Sequence, residues 1–308
     1  MWRFLILIFL TILLTGCSMI TIDDAPLEDN VEDDQALQLE KQNNETEEVV
    51  TDEFEEKKEQ SKLQELFEAV FQLNRTPNKN EDAEPIQYIA FGDSLTRGIG
   101  DETKMYGYSG RLAEKLERWP AITEVELDNR GQNGRRSDQL LALLQKGHYD
   151  EELPQADFMT MTLGGNDVMK VVKSDLFSLK KEMFDKELTH FSQRYRDIIA
   201  EIRAQNSEAP ILLIGFYNPF SIITDEYTPF EAIVNEWNDT IQQIATDDSN
   251  ACFVPISDLF VTNAGMVYHT DFFHPSASGY EQMTERIIEY MKLCDIEEMS
   301  EGRIGIEE

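Results

Sequence analysis

Apolar residues in the C-terminal two thirds of the chain fall into two alternating kinds of run. Short runs of four to six residues predict strands, and longer runs with apolar positions every three or four residues predict helices. The predicted strands are 86–91, 124–127, 158–163, 211–216 and 252–256. The predicted helices are 107–118, 137–146, 176–205, 230–246 and 276–292.

This alternation predicts an α/β fold, with a parallel sheet of five strands between two layers of helices. Right-handed crossovers restrict the topology to a doubly wound α/β/α sandwich. In such sheets, binding and catalytic groups lie beyond the carboxyl ends of the strands. A motif that carries chemistry should therefore follow a strand directly.

Four polar loops meet this condition. GDSLTRG at 92–98, GQNGRRS at 131–137 and GGND at 164–167 follow the first, second and third strands. TDFFHPS at 270–276 follows the last strand and precedes the last helix. Each loop alone is ordinary turn sequence, since glycine and asparagine suit tight turns. Their occurrence after successive strands is what indicates a shared site.

The residue types in these loops suit nucleophilic catalysis. The Ser94 hydroxyl attacks poorly unless a base removes its proton, and His274 is a suitable base. Asp271 lies three positions before His274 and can hold the imidazole in one tautomer. The Ser94 N–H, the Gly134 N–H and the Asn166 amide are three donors for an oxyanion.

These four blocks resemble the GDSL-type, or SGNH, hydrolase family, matched here by Ser94, Gly134, Asn166 and His274. The resemblance covers about residues 86 to 293 and implies a flavodoxin-like three-layer fold and metal-free ester hydrolysis, without a cofactor. It also implies a triad of Ser94, His274 and Asp271, and an oxyanion hole of Ser94, Gly134 and Asn166. The second block, NRGQNG, is more polar than the family's usual version, which leaves the chemistry of the pocket there open.

Other residues near these loops have competing interpretations. His269 is a rival base, although its spacing from Asp271 does not fit the family pattern. Asp93 is expected to point away from the nucleophile and to brace its loop. Three arginines either bind an anionic part of the substrate or form surface ion pairs: Arg97, Arg135 and Arg136.

Two further segments border the expected crevice. Tyr217, Asn218 and Pro219 follow the fourth strand and either shape a substrate pocket or form an ordinary turn. Residues 168–190 are rich in apolar side chains. They form either an acyl groove or lid at the site entrance or, more commonly for such a pattern, a helix face packed on the core.

The N-terminal stretch MWRFLILIFLTILLTGC has one arginine and then an apolar run that is short for a membrane span. It predicts a secretory signal segment over 1–17. Small residues directly before Cys17 resemble a bacterial lipobox, which implies cleavage before Cys17 and lipid attachment to it. The resemblance as a whole is to a lipoprotein member of the family from a Gram-positive bacterium, anchored to the outer face of the cell membrane. An N-terminal anchor helix with an incidental cysteine is the alternative.

Residues 18–84 are expected to form an acidic, disordered tether that holds a hydrolase domain, 85–308, off the membrane. Within the tether, residues 53–73 have apolar positions at helical spacing, which predicts either a docking helix or a marginal helix in the stalk. The net charge of −33 argues against nucleic acid as a partner.

Cys252 and Cys294 form either a disulfide or two buried thiols, and the sequence favours neither. The four histidines are scattered and show no metal-binding spacing. The leading hypothesis is a serine esterase acting on small acyl or lysophospholipid esters or on O-acetylated carbohydrate. The alternative is a non-catalytic surface scaffold. The sequence leaves the oligomeric state open, and a monomer would suffice.

Overall fold

The computed structural model describes residues 84–175, 178–221 and 228–305. The predicted signal segment, the tether up to residue 83 and the predicted helix over 53–73 therefore lie outside the described residues. Within the described ranges, no helix is long and apolar enough to cross a membrane.

Five parallel strands form a single sheet in the order β2-β1-β3-β4-β5. The chain runs outward from the central part of the sheet in both directions, as in a doubly wound fold. The predicted five-stranded parallel sheet is confirmed. The strands are β1 (Ile86–Gly92), β2 (Val125–Gly131), β3 (Phe158–Thr162), β4 (Ile211–Ile214) and β5 (Ala251–Val254).

Eight α-helices are seen in the described ranges. They are α1 (Ser94–Arg97), α2 (Gly107–Leu116), α3 (Ser137–Leu144), α4 (Gly165–Ser174), α5 (Lys181–Gln205), α6 (Pro229–Thr246), α7 (Ala277–Leu293) and α8 (Ile296–Met299). Short 3-10 turns lie at Leu153–Gln155, Ser257–Phe260 and Ala264–Met266.

Apolar side chains cover both faces of the sheet, as parallel sheets require. On one face, Tyr88 of β1 stacks on Phe158 of β3 with ring centroids 4.2 Å apart, in a buried cluster that also contains residues of α2 and α7. On the other helical layer, Phe191 of α5 stacks on Trp237 of α6 with centroids 4.7 Å apart. This packing stabilises the sheet between its two helical layers. The polar loops lie at the carboxyl edge of that sheet.

Two predicted elements differ from the structure in their bounds. The second strand was predicted over 124–127 but continues to Gly131, because β2 is an edge strand whose polar end is only partly buried. Arg130 there bonds to Asp128 and Glu152. The helix predicted over 176–205 begins at Lys181, and a separate helix, α4, precedes it at 165–174.

β4 also ends earlier than predicted, at Ile214 rather than at 216. The Asn238 side chain, on α6, replaces the strand ladder at Phe216: its Oδ1 accepts from the Phe216 N–H at 3.0 Å, and its Nδ2 donates to the Phe216 carbonyl at 2.8 Å. The chain therefore leaves the sheet without losing its backbone hydrogen bonds, and Phe216 becomes part of the cavity described below.

A disulfide joins Cys252, on β5, to Cys294, just after α7, across a sequence separation of 42. Of the two alternatives left by the sequence, the structure contains the bonded pair. Closing a loop of this size removes enough freedom from the unfolded chain to stabilise the fold by about 4 kcal/mol in the chain-entropy model. The closed loop contains the whole segment between β5 and α7, including Asp271 and His274.

Candidate active site

Ser94 stands on a sharp turn between β1 and α1. Gly92 has φ 149°, and a Cβ there would lie 2.3 Å from the Thr162 hydroxyl oxygen, so only glycine allows this approach of β1 and β3. Asp93 caps α1 by accepting from the Leu95 N–H at 3.0 Å. Ser94 is then the first residue of α1, with only 8% of its surface exposed.

A histidine and an aspartate complete a hydrogen-bonded series with this serine. Nε2 of His274 lies 3.1 Å from the Ser94 Oγ, and Nδ1 of His274 lies 2.7 Å from Oδ2 of Asp271. The other carboxylate oxygen of Asp271 accepts from the Phe273 and His274 N–H groups, each at 2.9 Å. The sequence predicted these three residues as one unit, and the structure brings them together.

The electrostatics suit proton transfer from serine to histidine. Burial raises the pKa of Asp271, but the hydrogen bonds from His274 and the backbone outweigh it and bring this pKa down to about 2. The carboxylate is therefore ionised at neutral pH and accepts only, so Nδ1 of His274 carries a proton. In a neutral imidazole Nε2 is then the free acceptor, facing the Ser94 hydroxyl.

The loop that carries Asp271 and His274 is held as a small hairpin. Tyr268 and Pro275 form an isolated antiparallel bridge, and the His269 N–H donates to the His274 carbonyl at 2.8 Å. The Tyr217 hydroxyl donates to the Phe273 carbonyl at 2.6 Å, which ties the hairpin to the end of β4. These bonds set the position of the imidazole.

Asn166 is the second residue of α4, at the carboxyl end of β3. Its Nδ2 donates to Oδ2 of Asp93 at 3.2 Å, and Asp93, Ser94 and Asn166 line one cavity. The prediction that Asp93 braces its loop agrees with its cap of α1. Its Oδ2 also accepts from Asn166, so Asp93 connects the first loop to the third.

Gly134 lies in the exposed turn of the loop between β2 and α3. It has φ 72°, and an added Cβ would meet no atom within 4 Å, so its requirement is conformational and not steric. The loop starts beside the nucleophile, since the Gln132 N–H donates to the Gly92 carbonyl. Gly134 is not among the residues of the cavity wall that Ser94 and Asn166 share.

Three residues that the sequence did not single out connect the second and third loops. Asp167, fully buried beside Asn166, accepts from the Ser137 N–H at 3.0 Å and from the Ser137 hydroxyl at 2.6 Å. Arg194 of α5 donates to the Ser137 hydroxyl at 2.7 Å and to Asp167 at 3.1 Å. This cluster fixes the start of α3 to the start of α4. In the sequence, the one signal for this cluster was the acidic residue that follows Asn166.

The cavity beside Ser94 is mostly apolar. Beyond the three polar residues already named, its wall consists of Leu95, Gly165, Val168, Met169, Phe216, Tyr217, Pro219, Phe230 and Phe273. Such a wall suits the hydrocarbon part of a ligand, while the few polar groups at one end fix its orientation.

The rival residues have other partners. His269 bonds to Glu102 at 3.0 Å and to the Thr270 hydroxyl at 3.1 Å. Arg135 is buried and donates to the Arg130 carbonyl and to Gln132, and Arg136 pairs with Asp138. Arg135 and Arg136 therefore make structural contacts within the protein. Arg97 is exposed at the end of α1, and its side chain has no hydrogen bond or ion pair with a protein group in the described ranges.

The two bordering segments contribute to the cavity in part. Tyr217 and Pro219 line it, whereas Asn218 is buried and donates to Glu231. In 168–190, Val168 and Met169 line the cavity and Phe184 packs in the core, while the acyl groove or lid stays a prediction. Residues 176 and 177 lie outside the described residues. No group of three or more potential metal ligands occurs in the described ranges.

The sheet is doubly wound, and a serine, a histidine and an aspartate are hydrogen-bonded in series at its carboxyl edge. This combination is typical of α/β serine hydrolases. Comparison with known proteins identifies the family within this class. Residues 90–282, more than half of the chain, match the model of the GDSL-like Lipase/Acylhydrolase family. The chain belongs to this family, and it is a carboxylic ester hydrolase of the esterase and lipase type.

Two Bacillus proteins are similar in sequence. The uncharacterized protein YpmR of Bacillus subtilis strain 168 is 31% identical over 217 residues, 70% of this chain and 85% of its own. The spore germination lipase LipC of Bacillus licheniformis is 26% identical over 209 residues, 66% of this chain and 94% of its own.

Solved structures show the same fold. The lipase Lip_vut3 from a goat rumen metagenome matches with a TM-score of 0.57 and 25% identity, over 67% of this chain and 97% of its own. The acetylxylan esterase Axe2 of Geobacillus stearothermophilus matches with a TM-score of 0.51 and 18% identity, over 67% of this chain and 94% of its own.

Proposed function

We propose that this chain is a serine esterase in which Ser94 is the nucleophile, His274 the base and Asp271 the residue that orients the base. The observation that carries the proposal is the unbroken hydrogen-bond series from the Ser94 Oγ through His274 to Asp271, at the wall of an apolar cavity. The alternative, a non-catalytic scaffold, does not explain why these three side chains are aligned.

In the first half-reaction, Nε2 of His274 takes the hydroxyl proton while the Ser94 Oγ bonds to the ester carbonyl carbon. The tetrahedral intermediate collapses, the bond to the alcohol oxygen breaks, and His274 donates its proton to that oxygen. Water then attacks the acyl-enzyme with His274 again as base. This step releases the carboxylic acid and restores Ser94.

The oxyanion of each tetrahedral intermediate needs donors already in place. Ser94 begins α1, so its N–H has no acceptor within that helix. Asn166 keeps a second N–H on the nitrogen that bonds to Asp93. We assign these two groups and the Gly134 N–H to the oxyanion hole, with Gly134 completing it from the neighbouring loop.

The cavity wall favours esters with an apolar acyl chain over acetyl esters. Met169, Phe216, Phe230 and Phe273 offer contacts to several methylene groups, each worth about 0.8 kcal/mol when buried. An acetyl group would use little of this surface. The lipase relatives agree with this choice of substrate class.

Initial rates on p-nitrophenyl esters from acetyl to palmitoyl test this proposal. We expect kcat/KM to rise at least tenfold from acetyl to a chain of four to eight carbons, because added methylene groups enter the apolar cavity. Met169→Ala, which enlarges the cavity, should shift the optimum to longer chains. A sharp preference for acetyl would overturn the acyl-chain assignment and favour acetylated carbohydrate, and no hydrolysis at any length would count against the esterase itself.

We also propose that the enzyme acts outside the cytoplasm, anchored by lipid on Cys17. The disulfide between Cys252 and Cys294 supports an oxidising compartment. The apolar segment before Cys17 supports export. Two or more acyl chains give stable membrane attachment.

Membrane fractionation of cells that express the full chain tests the anchor. The wild-type protein should sediment with membranes and partition into detergent, whereas Cys17→Ser should release most of it. Ser94→Ala is the matched control, because it should remain membrane-bound. Unchanged partitioning of Cys17→Ser would contradict lipid attachment at this residue.

A further inference from the structure

Asp93 lies at the junction of two hydrogen-bonded systems. Its Oδ2 accepts from Nδ2 of Asn166 at 3.2 Å. Its Oδ1 accepts from the Leu95 N–H at 3.0 Å and bonds to the Thr162 hydroxyl at 3.1 Å. Asp93 is 5% exposed, so these contacts take the place of water. The contacts of Asp93 affect how the Asn166 amide is oriented. The inference that follows rests on the serine esterase proposed above.

The amide of an asparagine can sit either way round, and its neighbours decide which. A carboxylate oxygen that only accepts requires the NH₂ end of Asn166 to face Asp93. That same nitrogen then has one N–H left, and Asn166 lines the cavity that contains Ser94. In the reversed amide, a carbonyl oxygen would take this place and repel a developing oxyanion.

We propose that Asp93 is a positioning residue that holds the Asn166 amide with its nitrogen, and not its oxygen, at the oxyanion site. The GDSLTRG motif at 92–98 therefore contributes more than a nucleophile and a turn. Its acidic residue determines whether the third loop presents a donor or an acceptor to the reacting ester.

A buried series of hydroxyl groups ends at Oδ1 of Asp93, whereas Asn166 bonds to the other oxygen, Oδ2. Six contacts connect the Phe91 carbonyl, five hydroxyl groups and Oδ1 of Asp93. The hydroxyl groups belong to Tyr88, Thr96, Tyr108, Thr160 and Thr162. They supply five protons for six contacts, so one contact lacks a proton when Asp93 is ionised.

A proton on Oδ1 of Asp93 completes all six contacts, each hydroxyl donating toward the Phe91 carbonyl. Burial raises the pKa of Asp93 to about 6, although the bonds from Leu95 and Thr162 oppose this rise. In either form Oδ2 remains an acceptor for Asn166. The other titratable groups whose charges reach Asp93 are His274 and the buried tyrosines Tyr108, Tyr195, Tyr217 and Tyr280.

Asp93→Asn is a sharp test because asparagine caps a helix as well as aspartate does. With its Oδ1 kept on the Leu95 N–H and Thr162, the new NH₂ group faces the NH₂ group of Asn166. Two donors cannot bond, so Asn166 should turn its oxygen toward residue 93. The reverse orientation of residue 93 would leave the buried Leu95 N–H without its acceptor.

The measurement is a double-mutant cycle of kcat with Asn166→Ala, on a p-nitrophenyl ester that the wild type hydrolyses. Asn166→Ala should lower kcat by about 10²- to 10³-fold. Asp93→Asn should cost at least about 10²-fold, with KM within threefold. The double mutant should be no worse than Asn166→Ala alone, because the amide through which Asp93 acts is gone.

Costs that multiply in the double mutant would overturn the proposal, and so would Asp93→Asn with nearly full activity. Asp93→Ser keeps a capping oxygen but offers nothing to Asn166, so its loss of kcat should be smaller. It also serves as the test if Asp93→Asn does not fold. Thr160→Val is the matched control: it removes a hydroxyl from the same buried series without contacting Asp93 or Asn166, and should lower Tm but keep kcat within threefold. An inactive wild type would instead count against the esterase assignment.

Discussion

Ser94→Ala is expected to lower kcat for ester hydrolysis by about 10⁶-fold, as loss of the nucleophile does in other serine hydrolases. The hydroxyl is the one group that His274 can activate at this position, with Nε2 3.1 Å from the Ser94 Oγ. Water held in its place would lack the fixed orientation of the side chain. The fold should survive, because the contacts of α1 involve Asp93 and Thr96 and not the Ser94 side chain.

Two readouts check this result. The first is kcat on a p-nitrophenyl ester, and the second is intact mass after treatment with a fluorophosphonate, which should add one label to the wild type and none to the mutant. Ser174→Ala, at the exposed end of α4, is the control because, among the residues that the structure describes, its hydroxyl bonds only to the Val171 carbonyl. Full activity or labelling of Ser94→Ala would refute the assignment of the nucleophile.

Asp271→Asn is expected to lower kcat by about 10⁴-fold at neutral pH. Asparagine can still accept from the Phe273 and His274 N–H groups through its oxygen. Its NH₂ group then faces Nδ1 of His274, where the carboxylate oxygen lay at 2.7 Å. The imidazole must take the tautomer with its proton on Nε2, so it donates toward Ser94 and cannot accept the hydroxyl proton.

The site provides a matched control for this change. His269 also bonds to a carboxylate, Glu102, at 3.0 Å through Nδ1, but it has no contact with Ser94. Glu102→Gln repeats the same chemical change on the second histidine and should leave kcat within threefold. Equal losses in Asp271→Asn and Glu102→Gln, or a small loss in Asp271→Asn, would contradict the proposed roles of the two histidines.

The sheet and the contact between Asp271 and His274 could be predicted from spacing along the chain. The contact of His274 with Ser94 spans 180 positions and was implied by the resemblance of their two loops to a known family. Each buried strand is a short apolar run, and a parallel sheet brings the residues after its strands to one edge. Asp271 and His274 are three positions apart, so their contact needs only one loop. These features use spacing that is visible along the chain.

The residues that the sequence missed act across long separations. Asp167, Ser137 and Arg194 meet from three helices, and their bonds span 27 to 57 positions. Asn238 reaches Phe216 from α6, which is why β4 ends early. The same holds for Asp93, whose partner Asn166 is 73 positions away. Polar residues of this kind read as ordinary surface positions until the packing of helices on the sheet is known.

The disulfide has a consequence for how the site recovers from thermal opening. It encloses Asp271 and His274 in a covalent ring, while Ser94 lies outside that ring. A ring segment that detaches from the sheet stays anchored at β5 and α7, so its effective concentration relative to Ser94 remains about millimolar. Nucleophile and base belong to one chain, so their reassembly is a first-order event with or without the disulfide. We therefore expect catalytic competence to return at the rate of closure of this loop for as long as β5 and α7 stay docked.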